Sequence, residues 1–496
     1  TGRREYSRVW ESMDRKLRLG AKNGSIAEVK FSLRLGANVN ALSRHGRNAL
    51  HWAARNGHRE VIIHLISEGA DVECRGCYDR TALIKAAYHN KLESIKILVE
   101  IGKANLNSRD KEGWSGVTYA SYYGFLPILK YLVKAKASIS IPNHHGRRPL
   151  AKACRAGNMN IVKYLIGLRA DINNQDYAGW TALMHACRNG HKDVVEYLLR
   201  NRGIEIDAQN LSQRTALMMA AASGFPEIIS LLVAARAQVD RRDSAGWCPL
   251  MQAANNGKLS SVKSLVEGKA TVDLRNHKLK TPLHKAAHNG HFEIVNYLIE
   301  TAKAKVNASD NIRRTTVSKA AYSGHVRMVK YLVEKCGSNA EEADLRLKTP
   351  LVCAAQGGHV QTVEYLYDSA IQKSETVKGE LKLSSSEGNT DLISRALGFA
   401  ALGGHEDVVD YLLFRTGNEP LARAMVYTIE EKYRSSSKDI EKGIKIFQKA
   451  VRLLLKVGHR RVRSILENNL ETSSDSRLEM LHASIGDAIF GFSEFK

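Results

Sequence analysis

A turn glycine that returns every 33 or 34 residues as far as Gly358 is the feature that most restricts how this chain can fold. Each turn lies between a short helix-like segment with two small residues and a longer amphipathic one, as in TALMHACRNGHKDVVEYLLRNRGIEI. One such pair cannot bury its own apolar face, so the period predicts a stack of helix pairs with a continuous core. The turn residues are Gly24, Gly57, Asn90, Gly124, Gly157, Gly190, Gly224, Gly257, Gly290, Gly324, Gly358 and Gly404.

The segments resemble the ankyrin repeat, whose T-P-L-H-x-A-A-x-x-G-H core is matched most fully at residues 281–291. The resemblance covers roughly residues 13–415. It implies an all-α ankyrin-repeat α-solenoid, in which antiparallel helix pairs are joined by β-hairpin-like loops beside a concave groove. We interpret the paired alanines and the Tyr-Leu pairs as structural residues of the stack.

Breaks in the period divide the chain into five segments. We expect residues 1–42 to form an N-terminal cap and an atypical first repeat, and residues 43–371 to form the regular array. The polar segment 372–389 is interpreted as an inserted mobile loop. Residues 390–416 form a last atypical repeat, and 417–496 a C-terminal helical extension that caps the array.

The hairpin that precedes each helix pair carries its own glycine in some repeats and lacks it in others. The glycine is present at Gly46, Gly113, Gly146, Gly179 and Gly246. In its place stand Asp79, Gln213, Leu279, Arg313 and Leu347. Because these residues lack the conformational freedom of glycine, we expect their loops to be distorted.

The stretch TPLHKAAHNGH holds three histidines, two of them four residues apart as in a zinc-binding helix. Lys285, however, occupies the position where the metalloprotease pattern has glutamate. The alignment of repeats makes His284 and His291 scaffold residues, and the resemblance implies a hydrogen-bonded ring for His284. Only His288 lies at a free slot that faces the groove. We predict no metal site and no cofactor.

The chain is strongly basic, with 74 Lys and Arg against 51 Asp and Glu and a formal net charge of +23. Such a surplus favours acidic partners, although charge that only keeps a long solenoid soluble is the alternative. Seven cysteines without framework spacing indicate a reducing, intracellular compartment: the cytoplasm first, with the mitochondrion or nucleus as alternatives. The chain begins at Thr1 rather than Met, so we expect it to be processed or incomplete. No long apolar run suggests membrane insertion.

One hairpin position, ten residues before the turn residue, carries only cations or Trp in repeats 1 to 10, whose turn residues run from Gly57 to Gly358. These hairpin-slot residues are Arg47, Arg80, Trp114, Arg147, Trp180, Arg214, Trp247, Lys280, Arg314 and Lys348. Two interpretations stay open. The side chains pack on the next hairpin, or they form a ladder that binds single-stranded nucleic acid or an acidic peptide.

The slots one and two residues before the turn residue also face the groove in this family, and acids are absent from the groove-facing residues there. They supply Arg55, Tyr88, His89, Tyr122, Tyr123, Arg155, Arg188, His288 and Tyr322. We expect the centre of the contact surface within residues 76–200, where Tyr, Trp and Arg are densest. A basic cluster near the C-terminus, Arg460, Arg461 and Arg463, is a further candidate, with a solvated helix face as the alternative.

The sequence contains no phosphate-binding loop, nucleophile elbow or kinase signature, so we expect no enzymatic activity. We predict a non-catalytic scaffold that binds an acidic protein partner as a subunit of a larger assembly. The first alternative is RNA binding, as a ribonucleoprotein or organellar ribosome component. The second is association with a microtubule or another acidic filament.

Overall fold

The computed structural model describes residues 2–377 and 387–416, and side chains over 11–371 and 392–416. Within these ranges the chain is a succession of helix pairs, as predicted, and a single isolated bridge, Ser309 with Thr315, is its only strand-type pairing. The helices are α1 (Gly2–Asn23), α2 (Ile26–Arg34), α3 (Ala49–Asn56), α4 (Arg59–Ser67), α5 (Ala82–Tyr88), α6 (Leu92–Glu100), α7 (Gly116–Tyr123), α8 (Leu126–Lys134), α9 (Pro149–Ala156), α10 (Met159–Gly167), α11 (Ala182–Asn189), α12 (Lys192–Leu199), α13 (Ala216–Ser223), α14 (Pro226–Ala234), α15 (Pro249–Asn255), α16 (Leu259–Glu267), α17 (Pro282–His288), α18 (Phe292–Glu300), α19 (Thr316–Tyr322), α20 (Val326–Lys330), α21 (Pro350–Gly357), α22 (Val360–Val377), α23 (Glu387–Gly403) and α24 (Glu406–Thr416).

Repeat 5 shows why these residues form two helices rather than one. The hydroxyl of Thr181 caps α11 by accepting a hydrogen bond from the Met184 N–H. Gly190 ends α11 in the left-handed conformation, at φ 80°. Asn90, the one substitute for the turn glycine, adopts the same conformation at φ 58°, which confirms the sequence prediction.

The packing separates the chain into two compact units, Thr1–Ser244 with Lys263–Lys269 and Ala245–Val262 with Ala270–Lys496. In the first unit, the odd-numbered helices α1 to α13 form a series in which each packs on the next one of the series. In the second unit, α15, α17, α19, α21 and α23 do the same. The alanine pairs of these helices are fully buried, so the helices approach closely. The leucines of the Tyr-Leu pairs, such as Leu165 and Leu198, are also fully buried and fill the core.

The hairpins without glycine are less disturbed than the sequence suggests. Gln213, Leu279, Arg313 and Leu347 all adopt the left-handed conformation, with φ between 52° and 61°. The expectation of distortion is wrong for these four, because each residue donates its N–H to the carbonyl three residues earlier, as the glycines do. It is confirmed at Asp79. There Tyr78 and Asp79 both have positive φ, and Cys77–Asp79 forms a 3₁₀ turn.

The inserted loop predicted for 372–389 is helical at both ends in the described residues. α22 runs to Val377 and α23 begins at Glu387, so the predicted boundaries are too wide. The cause is composition, since Gln, Lys and Glu continue a helix after its apolar pattern stops. Arg460, Arg461 and Arg463 lie outside the described residues.

Candidate partner-binding face

Within each unit, the hairpin slots and one side of the first helices form the face predicted from the sequence, and we call it the inner face. From repeat 3 onward, an Asp or Asn four residues before the hairpin slot organises each hairpin. Oδ1 of Asp176 shows the arrangement, because it accepts hydrogen bonds from the N–H groups of Ala178 (3.0 Å) and Trp180 (2.9 Å). The corresponding residues are Asp110, Asn143, Asp176, Asn210, Asp243, Asn276, Asp310 and Asp344.

Four hairpin-slot arginines reach the carboxylate of the following hairpin. In each case Nε of the arginine contacts Oδ2 of an aspartate whose side chain is at most 3% exposed. The pairs are Arg80 with Asp110 at 3.2 Å, Arg147 with Asp176 at 3.0 Å, Arg214 with Asp243 at 3.3 Å and Arg314 with Asp344 at 2.9 Å. Breaking such a pair leaves a buried charge without compensation. These contacts favour the packing interpretation for the four arginines.

The residue that organises a hairpin depends on the hairpin-slot residue of the preceding repeat. Arg80, Arg147, Arg214 and Arg314 are each followed by an aspartate in the next hairpin, whereas each tryptophan is followed by an asparagine. The tryptophan cases are Trp114 with Asn143, Trp180 with Asn210 and Trp247 with Asn276. Because a buried carboxylate needs a cation and a buried amide does not, each hairpin fits the charge of its predecessor.

The tryptophans of the hairpin slot are partly covered by basic side chains. Nζ of Lys152 lies 3.8 Å from the ring centre of Trp114, and Nζ of Lys285 lies 3.6 Å from that of Trp247. Trp180 stacks on His185 at 5.1 Å, with the guanidinium of Arg188 at 5.3 Å. These are cation–π distances, so one face of Trp114 and of Trp247 is already occupied.

A second row of residues, which the sequence prediction did not include, lies on the first helix of each repeat, five positions before the turn residue. Four of them are lysines, and two others, Tyr119 and His185, contact the hairpin aspartate of their own repeat. The signal was present, since lysine recurs at one helix position without an acid beside it. The interior row is Trp52, Lys85, Tyr119, Lys152, His185, Met219, Gln252, Lys285, Lys319 and Cys353.

Three lysines of the interior row sit in a positive environment. Burial first, and then the neighbouring cations Arg80 and Arg47, lower the pKa of Lys85 to about 8. Burial and Arg147 lower the pKa of Lys152 to about 7. Lys285 falls to a pKa of about 8, again through burial first and then through other lysines.

Lys319 and Asp176 show how the face is neutralised where acids are present. Nζ of Lys319 lies 2.7 Å from Oδ2 of Asp310, an ion pair within one repeat. Burial alone would raise the pKa of Asp176, but hydrogen bonds from His185, Trp180 and Arg147 lower it to about 2. Asp176 and Asp310 are thus acids of this face that the scaffold itself uses.

An aromatic cluster lies where the sequence predicts the densest contact surface. Tyr88 is edge-on to Tyr119 at 5.3 Å and to Tyr123 at 5.4 Å, while Tyr122 is edge-on to Trp114 at 5.4 Å. The Arg80 guanidinium lies 4.8 Å from the Tyr88 ring. The structure thus brings together five predicted contact residues, of which Tyr123 remains 42% exposed.

The remaining predicted residues are placed as follows. Arg155 and Arg188 are exposed at the ends of α9 and α11, and the guanidinium groups of Arg47 and Arg55 lie 5.1 and 5.3 Å from the ring centre of Trp52. Lys280 is half-buried. Lys348 is buried, with Nζ 3.8 Å from the ring centre of Phe399. Lys348 is therefore the predicted contact residue that is least available to a partner.

The three histidines of the TPLHKAAHNGH stretch bind different partners. The ring of His284 accepts at Nδ1 from the Thr281 N–H at 3.3 Å, and its Nε2 contacts the Arg314 carbonyl at 3.2 Å. His291 bonds the Asn255 carbonyl, and His288 bonds the Ser323 hydroxyl at 2.9 Å while stacking on Tyr322. Over the described side chains, no group of His, Cys, Asp or Glu is arranged to hold a metal ion. No helix in the described ranges is long and apolar enough to cross a bilayer.

The chain matches known proteins through its repeats. A family model described as ankyrin repeats (3 copies) matches stretches that together run from residue 17 to residue 424. The matched stretches are 17–110, 68–143, 97–176, 117–210, 158–243, 217–310, 250–344, 283–377 and 320–424.

Curated relatives share short parts of this array. The B-cell lymphoma 3 protein homolog of Mus musculus is 34% identical over 109 residues, which are 22% of this chain and 24% of that protein. The tyrosine-protein kinase HTK16 of Hydra vulgaris is 29% identical over 131 residues, 26% of this chain and 17% of the kinase. The putative ankyrin repeat protein YahD of Escherichia coli (strain K12) is 29% identical over 136 residues, 27% of this chain and 67% of YahD. The chain thus covers about a quarter or less of the mouse and Hydra proteins.

The family match extends over most of the sequence and coincides with the helix pairs of the structure. The chain belongs to the ankyrin-repeat family, whose repeats form protein-interaction scaffolds.

Proposed function

We propose that this chain is a non-catalytic scaffold whose inner face binds an acidic surface of a protein partner, as a subunit of a larger assembly in a reducing, intracellular compartment. The family membership supports a protein partner. The seven cysteines, all free, are consistent with the compartment.

One observation carries the proposal. Lys85, Lys152 and Lys285 lie on the inner face with pKa values lowered by burial and by adjacent cations. Arg155 and Arg188 add exposed charge on the same side of the first unit. A surface with an uncompensated positive potential attracts an anionic partner and gains free energy when that partner neutralises it.

The contacts of the tryptophans favour a protein over RNA. Binding of single strands without sequence preference uses open aromatic faces as stacking platforms. Lys152 covers one face of Trp114, and Lys285 covers one face of Trp247. An acidic peptide or an acidic filament surface needs only the cations, so RNA becomes an alternative outcome of the test.

The test compares two charge-reversal variants with the same change in net charge. Arg155→Glu with Arg188→Glu alters the inner face, whereas Lys130→Glu with Lys163→Glu alters exposed lysines on the second helices α8 and α10. Fluorescence anisotropy measures binding to a glutamate-rich peptide. Because like charges across an interface cost several kcal/mol, the inner-face variant should bind at least about tenfold more weakly, and the control within about twofold of wild type.

Equal losses in both variants would show that the peptide responds only to net charge, and the inner face would then not be the binding site. Tight binding of single-stranded RNA together with no binding of the peptide would assign the nucleic-acid alternative instead.

A further inference from the structure

Hairpin 2 departs from the pattern of the later hairpins of the first unit. Gly76 stands four residues before the slot residue Arg80, where the later hairpins carry Asp or Asn. A Cβ atom at this position would lie 2.8 Å from the Gly46 carbonyl oxygen and 2.9 Å from Nε2 of His51. The backbone therefore leaves no room for an internal carboxylate at the place where the other repeats provide one.

Arg47, the slot residue before this hairpin, has no acidic partner among the residues that the structure describes. In four other repeats the slot arginine contacts an aspartate through Nε, but the Nε atom of Arg47 is buried with no hydrogen-bond partner. A buried N–H group without an acceptor is costly, by roughly 1–3 kcal/mol. The guanidinium instead lies 5.1 Å from the ring centre of Trp52.

Other cations surround the same ring. The Arg55 guanidinium lies 5.3 Å from the ring centre of Trp52, and Nζ of Lys22 lies at the same distance. Lys85 is 7% exposed, and its amine makes no ion pair or hydrogen bond with the described side chains. The electrostatic effects of Arg47 and Arg55 reach Lys85, and burial followed by Arg55 lowers the pKa of His89 to about 4.

We propose that Arg47, Arg55 and Lys85 form a site on the inner face that binds one anionic group of the acidic partner, a carboxylate or a phosphate, because hairpin 2 supplies no carboxylate of its own. The inference rests on the proposed function and identifies where on the inner face an acidic side chain is bound most directly. The group would accept from the terminal guanidinium N–H groups of Arg47 and Arg55, because Nε of Arg47 is itself buried.

Arg214 provides a matched control. It occupies the same hairpin slot in the same unit, but Asp243 already neutralises it. The variants Arg47→Gln, Lys85→Met and Arg214→Gln are titrated with three probes: a glutamate-rich peptide, a phosphoserine peptide of the same length and inorganic phosphate. Each loss of a charge-assisted contact in the site should weaken binding by about fivefold to tenfold, whereas Arg214→Gln should stay within about twofold of wild type.

Thermal unfolding keeps the test independent of folding defects. Lys85→Met removes a buried amine without a partner, so this variant should unfold at the wild-type temperature or above it. Its stabilisation by each probe should nevertheless be smaller than that of wild type. The probe whose affinity depends most on Arg47 identifies the group as carboxylate or phosphate.

Three outcomes separate the two proposals. If the peptides bind and neither Arg47→Gln nor Lys85→Met weakens them more than Arg214→Gln, the proposed site is wrong and the scaffold function stands. If inorganic phosphate binds in an Arg47-dependent manner but neither peptide binds, the site stands and the acidic-protein function is wrong. If no probe binds to wild type, both are wrong.

Discussion

Nε of Arg147 donates to Oδ2 of Asp176 at 3.0 Å, so a cation of one hairpin neutralises a carboxylate of the next. The other carboxylate oxygen of Asp176 holds its own hairpin through the N–H groups of Ala178 and Trp180. One side chain thus shapes its own repeat and couples it to the preceding one. In a stack stabilised by contacts between neighbours, such a coupling contributes to the stability of the whole unit.

Asp176→Asn should therefore destabilise the first unit. Asparagine keeps the oxygen that organises the hairpin but removes the charge opposite Arg147 and His185. The expected loss in the free energy of unfolding is about 1–3 kcal/mol, measured by urea denaturation.

The reciprocal change is the control. Asn210 follows Trp180, which offers no positive charge, so Asn210→Asp buries a carboxylate opposite an indole. It should also destabilise the protein. A gain in stability from Asn210→Asp would contradict the fit between each hairpin and its predecessor.

Much of the scaffold follows from the sequence alone, because its determinants are local. The turn residues, the helix caps and the scaffold roles of His284 and His291 each depend on residues within one repeat or on a strict period. The pairing of Arg147 with Asp176 joins residues of different repeats. It becomes visible only when one slot is compared with another slot of the next repeat.

The interior row illustrates a second reason why part of the site cannot be predicted from the sequence. Lys152 is 3% exposed although lysine ordinarily stays in water, because its stem packs along the helix stack and its amine lies over Trp114. The repeat period places Lys152 on the first helix but does not predict how deeply its side chain is buried. The sequence therefore identifies which helix carries the interior row but not that its side chains are buried.

Two hairpin leucines with a left-handed backbone conformation allow a test of backbone strain. Leu279 and Leu347 have φ of 52° and 58°, and both side chains are exposed. Left-handed backbone costs a residue with a Cβ roughly 1–2 kcal/mol, part of which is offset by the greater unfolded-state entropy of glycine. Leu279→Gly and Leu347→Gly should each raise stability by up to about 1 kcal/mol in thermal unfolding.

Alanine at the same positions separates strain from lost contacts, because alanine retains the Cβ atom. Leu279→Ala and Leu347→Ala should give no gain. If the glycine variants are no more stable than the alanine variants, these hairpins carry no backbone strain.

His51 and His284 predict a loss of stability in acid. Burial lowers the pKa of both rings to about 4, below the unfolded value near 6.5. The ring Nδ1 of each accepts a backbone N–H, which a proton at that atom would displace. The stability from the neutral rings is complete above pH 6.5 and is lost as the pH falls through 4, by up to roughly 3 kcal/mol for each ring.

Urea unfolding at a series of pH values between these limits measures the effect. The variant His284→Asn lacks the titrating ring, so its stability should fall less steeply than that of wild type over the same range. Parallel curves for the two proteins would contradict the role assigned to His284.

Lys152 predicts a pH-dependent effect of a substitution at higher pH. Its pKa of about 7 in the folded protein lies below the unfolded value of 10.5, so the folded state is penalised wherever the amine is charged. Lys152→Met should be more stable than wild type by about 1–3 kcal/mol at pH 6, because methionine fills the site without a charge. The advantage should shrink as the pH rises from 7 towards 10.5. An advantage that does not change with pH would mean that packing, not charge, controls this site.

The central claim is that the inner face binds an acidic protein surface, and a competition experiment tests it most directly. Wild-type protein is titrated with a labelled glutamate-rich peptide and with labelled single-stranded RNA of the same net charge, at about 100 mM salt, where weak long-range attraction is largely screened. We predict that the peptide binds, that RNA displaces it poorly, and that Arg155→Glu with Arg188→Glu abolishes binding. Preferential RNA binding that weakens steeply with salt and is lost on Trp114→Ala would contradict the claim.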